Sequence, residues 1–489
     1  MPDSVAVIGA GPGGLVAARW LLAHGFEVAL FEQAPTLGGQ WAGLEGSSGV
    51  WPAMHTNSSR VLTAFSDLPP EVATAYPSNR DILAYLCRYA DMFGITPRIR
   101  LGTRVDLLRR TGNAWLLSHS GTREKFERVV LAPGRFHTPA IPKVPGLQQF
   151  SGQLGATSTY HYRGPAPYRG RRVLVAGGAI SALDVATDLA RGGAHVTVTQ
   201  RRQRYVLPKF VGDVPSDHRM FTRYHALAGE SLPATEFDCQ LKQFVVGAGG
   251  NPADFGAPAP HPSLATAGVT LNDGFLPLVA EGRITVRPWM KSVHGSRVTF
   301  SDGHDGQFDA LVFGTGYQLS LPLLDARTRA LLNVGATHFD SDRHTFHPDL
   351  PGLAFVGLWD QSGGYFVPLE LQARWIAYTW SGAISAPAES DQRRSIEASR
   401  GSQKARMDRV ALTFARAAGV EPQPDHWPQL RRALLFGPLA PSCFRLEGPD
   451  ARADAARHFT RDAAEFGAIT SNELTELERS RWSRLAPAG

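Results

Sequence analysis

A unit that occurs twice restricts this chain more than any other feature. It consists of a short apolar strand, a glycine-rich loop, an amphipathic helix and a second apolar strand. In the first copy Val5–Ile8 runs into Gly9-Ala-Gly11-Pro-Gly-Gly14, a helix is expected over Leu15–Leu22, and Val28-Ala-Leu-Phe31 ends in Glu32. In the second, Arg171-Arg-Val-Leu-Val-Ala-Gly177 precedes a helix over Ile180–Ala190 and a strand over His195–Thr199. The glycine spacing decides little by itself, because 50 glycines in 489 residues give about half a GxGxxG match per chain by chance. Strand before and helix after make it informative, since that order is a βαβ unit with its loop at a helix N-terminus. The chain is also longer than one hydrophobic core usually organises. The expected fold is α/β, with two dinucleotide-binding (Rossmann-like) domains.

The residue types assign a ligand to each loop. Gly9 permits the tight turn, Gly11 lets backbone approach a pyrophosphate, and Gly14 brings helix and strand together. Glu32 lies 23 residues after Gly9 and suits the hydroxyls of an unphosphorylated ribose, as in FAD. The same offset from Gly177 reaches Gln200, followed by Arg201 and Arg202. A carboxylate repels a 2′-phosphate, whereas guanidinium forks bind one, so the second loop suits NADP. The alternative for these arginines is a solvated charge run. Gly177 and Gly178 supply the second loop's turn and Ser181 opens its helix, but Ala179 stands where the second glycine would fall.

Composition closes other routes. Apolar residues at 43% and charged residues at 19% exclude a mostly disordered or fibrous chain. A net charge of +6 is mild over this length, and the densest basic runs, Arg98 to Arg110 and Arg201 to Arg204, are too short for a nucleic-acid face. Cys87, Cys239 and Cys443 are isolated, with no CxxC, so neither a disulfide framework nor a metal site nor a redox dithiol is expected. Nothing approaches the ~18 consecutive apolar residues of a membrane span, and the N-terminus has no leader pattern. The expectation is a cytoplasmic, soluble protein with no nucleic-acid or membrane partner.

Several further blocks, taken in order, resemble the flavin-containing monooxygenases of the class B flavoprotein family over nearly the whole chain. Gly38-Gly39-Gln40-Trp41 resembles the GGxW block that lies along the flavin. Thr56-Asn57, Phe65-Ser-Asp-Leu-Pro69 and Tyr76-Pro-Ser-Asn-Arg-Asp resemble the segment that follows it. Leu131-Ala-Pro-Gly134 stands at the family's hinge, Phe313-Gly-Thr-Gly-Tyr317 at the return to the FAD domain, and Glu370-Leu-Gln-Ala-Arg-Trp375 and Phe436-Gly-Pro-Leu-Ala-Pro441 are similar to late blocks. In the identifying stretch Phe150, Gly152 and Tyr160 are present, but the histidine is Ala156, with His161 five residues on. The departures at Pro133, Ala156 and Ala179 all fall on the nicotinamide side or the hinge.

The resemblance implies FAD and NADPH as cofactors and O2 with a small molecule as substrates. Reduced flavin would form a C4a-(hydro)peroxyflavin that oxygenates a soft nitrogen or sulfur, with water kept out. Asn57 would act beside the flavin as the catalytic group; its alternative is an Asx-type cap. Gly9, Gly11, Gly14, Glu32, Gly39, Gln40, Trp41, Val105 and Gln372 complete the expected FAD side, and Gly177, Gly178, Ser181, Arg201 and Arg202 the NADP side. No metal residue is expected. Trp51, Met54, Phe210 and Tyr365 are candidates for substrate lining.

As the resemblance implies, the NADP domain is expected over 155–314, inserted into an FAD domain made of 1–154 and 315–489, with a charged helical tail. The proline-rich stretches Pro133–Pro145 and Arg163–Arg172 read as hinge strands. Tyr205 to Val211 and Gly247 to Pro262 read as irregular lid or loop. Two other functions stay open: Baeyer-Villiger oxygenation of a ketone, and a flavoprotein impaired in direct use of NADPH. Oligomeric state is open too, a homodimer included.

Overall fold

The structure, a computed structural model, describes residues 3–400 and 404–485. Both βαβ units form. Ser4–Ile8, the helix Pro12–Ala23 and Glu27–Phe31 make the first, and Arg172–Ala176, Ile180–Arg191 and His195–Gln200 the second. Each seeds a five-stranded parallel sheet. The first runs Leu353–Phe355, Arg128–Leu131, Ser4–Ile8, Glu27–Phe31, Ile99–Arg100; the second runs Gly155–Ser158, Ala310–Phe313, Arg172–Ala176, His195–Gln200, Ile284–Pro288. The core residues Val5, Ala6 and Val7 are wholly buried, as are Val173, Leu174 and Val175, because helices and meanders cover both faces of a parallel sheet.

The repeat is larger than the two units that are visible in the sequence. A three-stranded antiparallel meander precedes the return strand of each sheet: Val105–Thr111, Ala114–His119 and Thr122–Phe126 in the first, Met290–His294, Arg297–Phe300 and Asp305–Gln307 in the second. The glycines at the two loops meet equivalent neighbours. Gly9 has φ +105°, and a Cβ there would lie 2.3 Å from the Ala132 carbonyl oxygen; Gly177 has φ +135° and would meet the Gly314 oxygen at the same distance. At Gly14 a Cβ would stand 1.8 Å from the Gly9 oxygen. The second unit carries Ala182 at that place, and the room is provided opposite, where a Cβ on Gly314 would come within 2.6 Å of the Ala182 Cβ.

Two expectations are corrected. Tyr205–Leu207 is a buried strand, paired in parallel with Val269–Leu271, and Gly247 lies in the last turn of the helix Ala234–Gly249. The strand's order comes from a partner distant in the chain, so no local signal announces it. The hinge pair is also different. Pro133–Pro145 runs antiparallel to the segment after Phe313, with the Ala140 N–H on Gly316 (2.9 Å) and the Gln318 N–H on Thr138 (2.8 Å). Arg163–Arg172 is instead a rim turn of the second unit, and its Arg163 reaches back to the Ser48 carbonyl at 2.8 Å.

The C-terminal part returns to the first sheet as the helix Phe366–Ser381, buried from Phe366 to Tyr378. The charges of its late block are structural. Glu370 accepts the Ser66 N–H at 2.7 Å, and the fully buried Arg374 donates to the Phe444 carbonyl and the Tyr378 hydroxyl, each at 2.9 Å. The helix-prone stretch Asp391–Ala418 forms helices at Glu389–Ser399 and Met407–Ala417, with 401–403 lying outside the described residues. The tail forms Glu476–Ser483, closed by a Thr475–Glu478 capping box. Among the described residues, no helix is long and apolar enough to cross a membrane.

Two glycine substitutions separate packing from propensity. Gly14→Ala drives a methyl into backbone and is expected to cost roughly 2–4 kcal/mol. Gly247→Ala, a helical position with nothing within 4 Å of the added Cβ, is expected to add about 0.5–1 kcal/mol. Chemical denaturation of the two variants against the parent reads both.

Candidate functional site

Parallel strands deliver their loops to one edge, and here both sheets turn that edge toward a shared cavity of about 2540 Å³. Its wall takes Gly9, Gly11 and Glu32 from the first unit, Ala179, Ile180 and Ser181 from the second, and Ala132 to His137 from the hinge. Gly14, Gly177 and Gly178 lie beneath the wall and shape it.

On the first side, Glu32 is buried and ties the loop to its strand. Its Oε2 accepts the Ala10 N–H at 2.7 Å and its Oε1 the Ala34 N–H at 2.8 Å, which leaves each oxygen a lone pair for a ligand hydroxyl. Gly39, Gln40 and Trp41 form one turn of 3₁₀ helix on the wall. That turn packs against the loop so closely that a Cβ on Gly39 would stand 3.0 Å from the Gly11 Cα. Val105 joins the same end, two residues after Thr103, whose N–H meets the Glu32 carbonyl at 2.7 Å. Gln372 is elsewhere. It is fully buried behind the wall, accepting from the Gly357 N–H (3.0 Å) and donating to Thr345 Oγ1 (2.8 Å) and the His344 carbonyl (3.1 Å).

Asn57 lines the cavity, and its Oδ1 is buried with no hydrogen-bond partner. The oxygen forms no Asx cap; the local turn is held by Thr56 Oγ1 on the Ser58 carbonyl at 2.8 Å. Lys209, which sequence reasoning passed over, reaches this turn from the other sheet's side and donates from Nζ to the Thr56 carbonyl at 3.0 Å. The Tyr76 hydroxyl donates to the Lys209 carbonyl, and Asp273 accepts the Lys209 N–H at 2.7 Å. Burial lowers the Lys209 ammonium from its usual range, while burial lifts Asp184, on the same wall, to about 6.

On the second side the arginines divide. Arg201 stacks over Trp289 at 4.9 Å and is not on the wall, whereas Arg202 lines it together with Arg204. Arg204 is held below the usual arginine value, first by burial and then by the charge of Arg202. Two crowded guanidinium groups beside the N-terminus of the helix Ile180–Arg191 make a site for an anion. Gln200 turns inward, its amide over Gly178 and donating to Gln203. Ala156 is exposed on the edge strand Gly155–Ser158, and His161 is exposed against the Tyr160 ring, so neither is on the wall. Tyr160 packs against Gly49 and Tyr317.

Trp51, Met54 and Tyr365 line the cavity, while Phe210 is exposed and packs edge-on against Tyr76. Beside Asn57 stand Asp217 and His218. Asp217 Oδ2 accepts the Ser59 N–H at 2.6 Å, and Ser59 Oγ meets His218 Nε2 at 3.0 Å. Burial raises Asp217 to about 6 and lowers His218 to about 3, the latter with help from the Arg60 charge. Among the described residues no group of three His, Cys, Asp or Glu could hold a metal ion.

Residues 3–466 match the flavin-binding monooxygenase-like family. The chain is 28% identical over 485 residues to flavin-containing monooxygenase 2 of Homo sapiens and to the N-oxide-forming dimethylaniline monooxygenase 2 of Rattus norvegicus, covering 92% of this chain and 89% of each relative. Among solved structures it superimposes on an S-allyl-L-cysteine S-oxygenase from Allium sativum with TM-score 0.61 and 21% identity, over 99% of this chain and 92% of that one. It superimposes on an open form of cyclohexanone monooxygenase with TM-score 0.64 and 20% identity, over 86% and 97%.

The buried His218 has a pH signature. Its folded value, about 3, lies below the ordinary 6.5, so the unfolded chain binds the extra proton and the stability present above pH 6.5 is lost as pH falls toward 3. Asp217 has the opposite sign, its contribution being lost as pH rises through about 6. Comparing His218→Gln with the parent isolates the histidine: between pH 7 and about 4.5 the variant should lose about 2 kcal/mol less unfolding free energy. Denaturant titrations at the two pH values measure it.

Proposed function

Since the chain belongs to the flavin-binding monooxygenase-like family and is a flavin-dependent monooxygenase, we propose that it uses NADPH and O2 to oxygenate the nitrogen or sulfur of a small molecule. The observation that carries this reading is that both nucleotide loops open into one cavity whose wall presents the unpartnered Asn57 Oδ1. The family works with FAD and NADPH, and the residues present fit both: a close-approach loop with an acid at its strand end, and a loop flanked by two guanidinium groups. When bound, FAD would supply the redox chemistry between NADPH and O2, by which one oxygen atom goes to the substrate and the other leaves as water.

In this reading Gly9, Gly11 and Gly14 shape the backbone that receives the FAD pyrophosphate at the N-terminus of the helix Pro12–Ala23, and Glu32 accepts from the ribose. Gly39, Gln40, Trp41 and Val105 close that side, and Gln372 acts at one remove, through the Gly357 and His344 backbone. Ser181 and the helix N-terminus behind Ala179 take the NADP pyrophosphate, with Gly177 and Gly178 shaping the loop. Arg202 and Arg204 grip the 2′-phosphate, while Arg201 contributes charge from its place on Trp289. Residues 155–314 form the NADP domain, inserted between 1–154 and 315–489. The Asn57 amide orients the reacting oxygen, and Trp51, Met54 and Tyr365 exclude water.

Three measurements test this. Under nitrogen, NADPH should bleach the yellow protein; retention of colour would falsify the self-sufficient monooxygenase. Asn57→Ala should keep its FAD and its bleaching yet release hydrogen peroxide in place of product, as mass spectrometry with one sulfide and one ketone would show. That assay also separates soft-nucleophile oxygenation from ester formation. Replacing Arg202 and Arg204 with alanine should raise the NADPH KM by about tenfold or more and leave that for NADH nearly as it was.

A further inference from the structure

We propose that Lys209 is a positioning residue: its ammonium group holds the peptide that carries Asn57 and ties the place of that amide to the second nucleotide unit. This inference deepens the function proposed above and rests on it. Lys209 Nζ donates to the Thr56 carbonyl at 3.0 Å, and that carbonyl belongs to the peptide bond whose nitrogen is Asn57. The turn up to Ser58 is otherwise held by its own neighbours. The Thr56 N–H meets the Pro77 carbonyl at 2.9 Å, Thr56 Oγ1 the Ser58 carbonyl at 2.8 Å, and Ser58 Oγ the Thr63 hydroxyl at 2.7 Å. Among the described residues, Lys209 is the one hydrogen-bond partner of the Thr56 carbonyl.

Lys209 itself is firmly seated. Its N–H donates to Asp273 Oδ1 at 2.7 Å, its carbonyl accepts the Tyr76 hydroxyl and the Ser216 N–H (2.8 Å), and its ammonium lies 4.9 Å from the centre of the Tyr76 ring. Beyond Asp273 the bonds continue into the helix Ile180–Arg191. The adjoining Asn272 is buried, donates to Asp184 Oδ1 at 2.7 Å and accepts the Thr187 hydroxyl at 3.3 Å. Its N–H meets the Leu207 carbonyl at 3.0 Å, two residues before the lysine. The helix that starts at the second glycine loop is thus joined, through Asn272, Asp273 and Lys209, to the Asn57 peptide.

Stability does not account for a lysine here. Among the described residues no carboxylate pairs with its ammonium; burial lowers it below the usual range, and the Asp184 and Asp273 charges oppose that from a distance. A methionine would fill the same space without taking a charge out of water for one carbonyl bond. A charged donor grips a carbonyl harder than a neutral one does. Such a grip has a use at this peptide, because the Asn57 Oδ1 that follows it has no protein partner to fix it.

Lys209→Met keeps the length of the side chain and removes the donor. In the full-length FAD-loaded protein, hydrogen exchange of residues 57–60 would be followed with and without NADP+, whose affinity calorimetry gives. Binding of NADP+ should slow that exchange by about tenfold in the parent and by less than about twofold in the variant, at an affinity within about threefold of the parent's. With NADPH, O2 and saturating methyl phenyl sulfide, the share of NADPH that ends as hydrogen peroxide should rise by about threefold or more, and further sulfide should not restore it. The denaturation midpoint should be no lower than the parent's. Exchange in the parent that ignores NADP+ overturns the proposal without any variant, and so does equal slowing in the two proteins. A peroxide share like the parent's overturns it, as does an NADP+ affinity that drops by about tenfold or more, which assigns the ammonium to coenzyme binding. A lower midpoint, with exchange raised equally whether or not NADP+ is bound, makes Lys209 a structural brace and overturns it too. If the parent oxygenates no sulfide, the function proposed above fails, and the exchange measurements alone judge Lys209.

Discussion

A strand that ends in glycine against a neighbouring carbonyl is the constraint on which the site depends. At Gly9 and at Gly177 the absent side chain lets the return strand cross at contact distance, so that Ala132 and Gly314 lie beside the loops they follow in space. Each crossing carries the chain out of one sheet at the level of the nucleotide loop, and the two exits, 133–145 and 314–320, pair with each other. One steric condition, used twice, therefore sets both the phosphate loops and the junction between them. A methyl at either glycine would displace a whole strand, since the atom it meets is backbone and cannot rotate away.

The sequence discloses those parts of the fold whose cause is local. Turn geometry, helix start and strand periodicity are properties of neighbouring residues, and both βαβ units appear where the pattern places them. The parts that escape it have distant causes. Tyr205–Leu207 is a strand because Val269–Leu271 lies beside it, and the meanders complete a repeat whose two copies share little residue pattern. Within the site, Arg202 was visible by its offset from Gly177, but nothing in that spacing says that Arg201 stacks on Trp289 while Arg204 turns to the cavity. Lys209 and Asp217 left no trace in the sequence, because their contacts are with Thr56 and Ser59, more than a hundred residues away.

Charge falls into two settings here. Around the helix Phe366–Ser381, Glu370 and, through Nε and Nη1, Arg374 bond to backbone and hydroxyl partners and hold distant segments together. Around the cavity, the exposed Arg202, the partly buried Arg204 and the buried Asp217 form no ion pair among the described residues, two cations at one end and an anion elsewhere on the wall. Well-satisfied groups stabilise a fold, and ill-satisfied ones in a cavity wall mark where ligands complete it.

The paired exits have a mechanical corollary. A two-stranded ribbon resists sliding along its hydrogen bonds but flexes across its face, so the second sheet can swing relative to the first more readily than it can shear. Lys209 spans that swing, anchored by Asp273 on one side and seated on the Thr56 carbonyl on the other. The peptide it pulls is the one that leads into Asn57. Any rocking of the second sheet is thus geared, through one ammonium group, to the turn that carries Asn57 on the cavity wall.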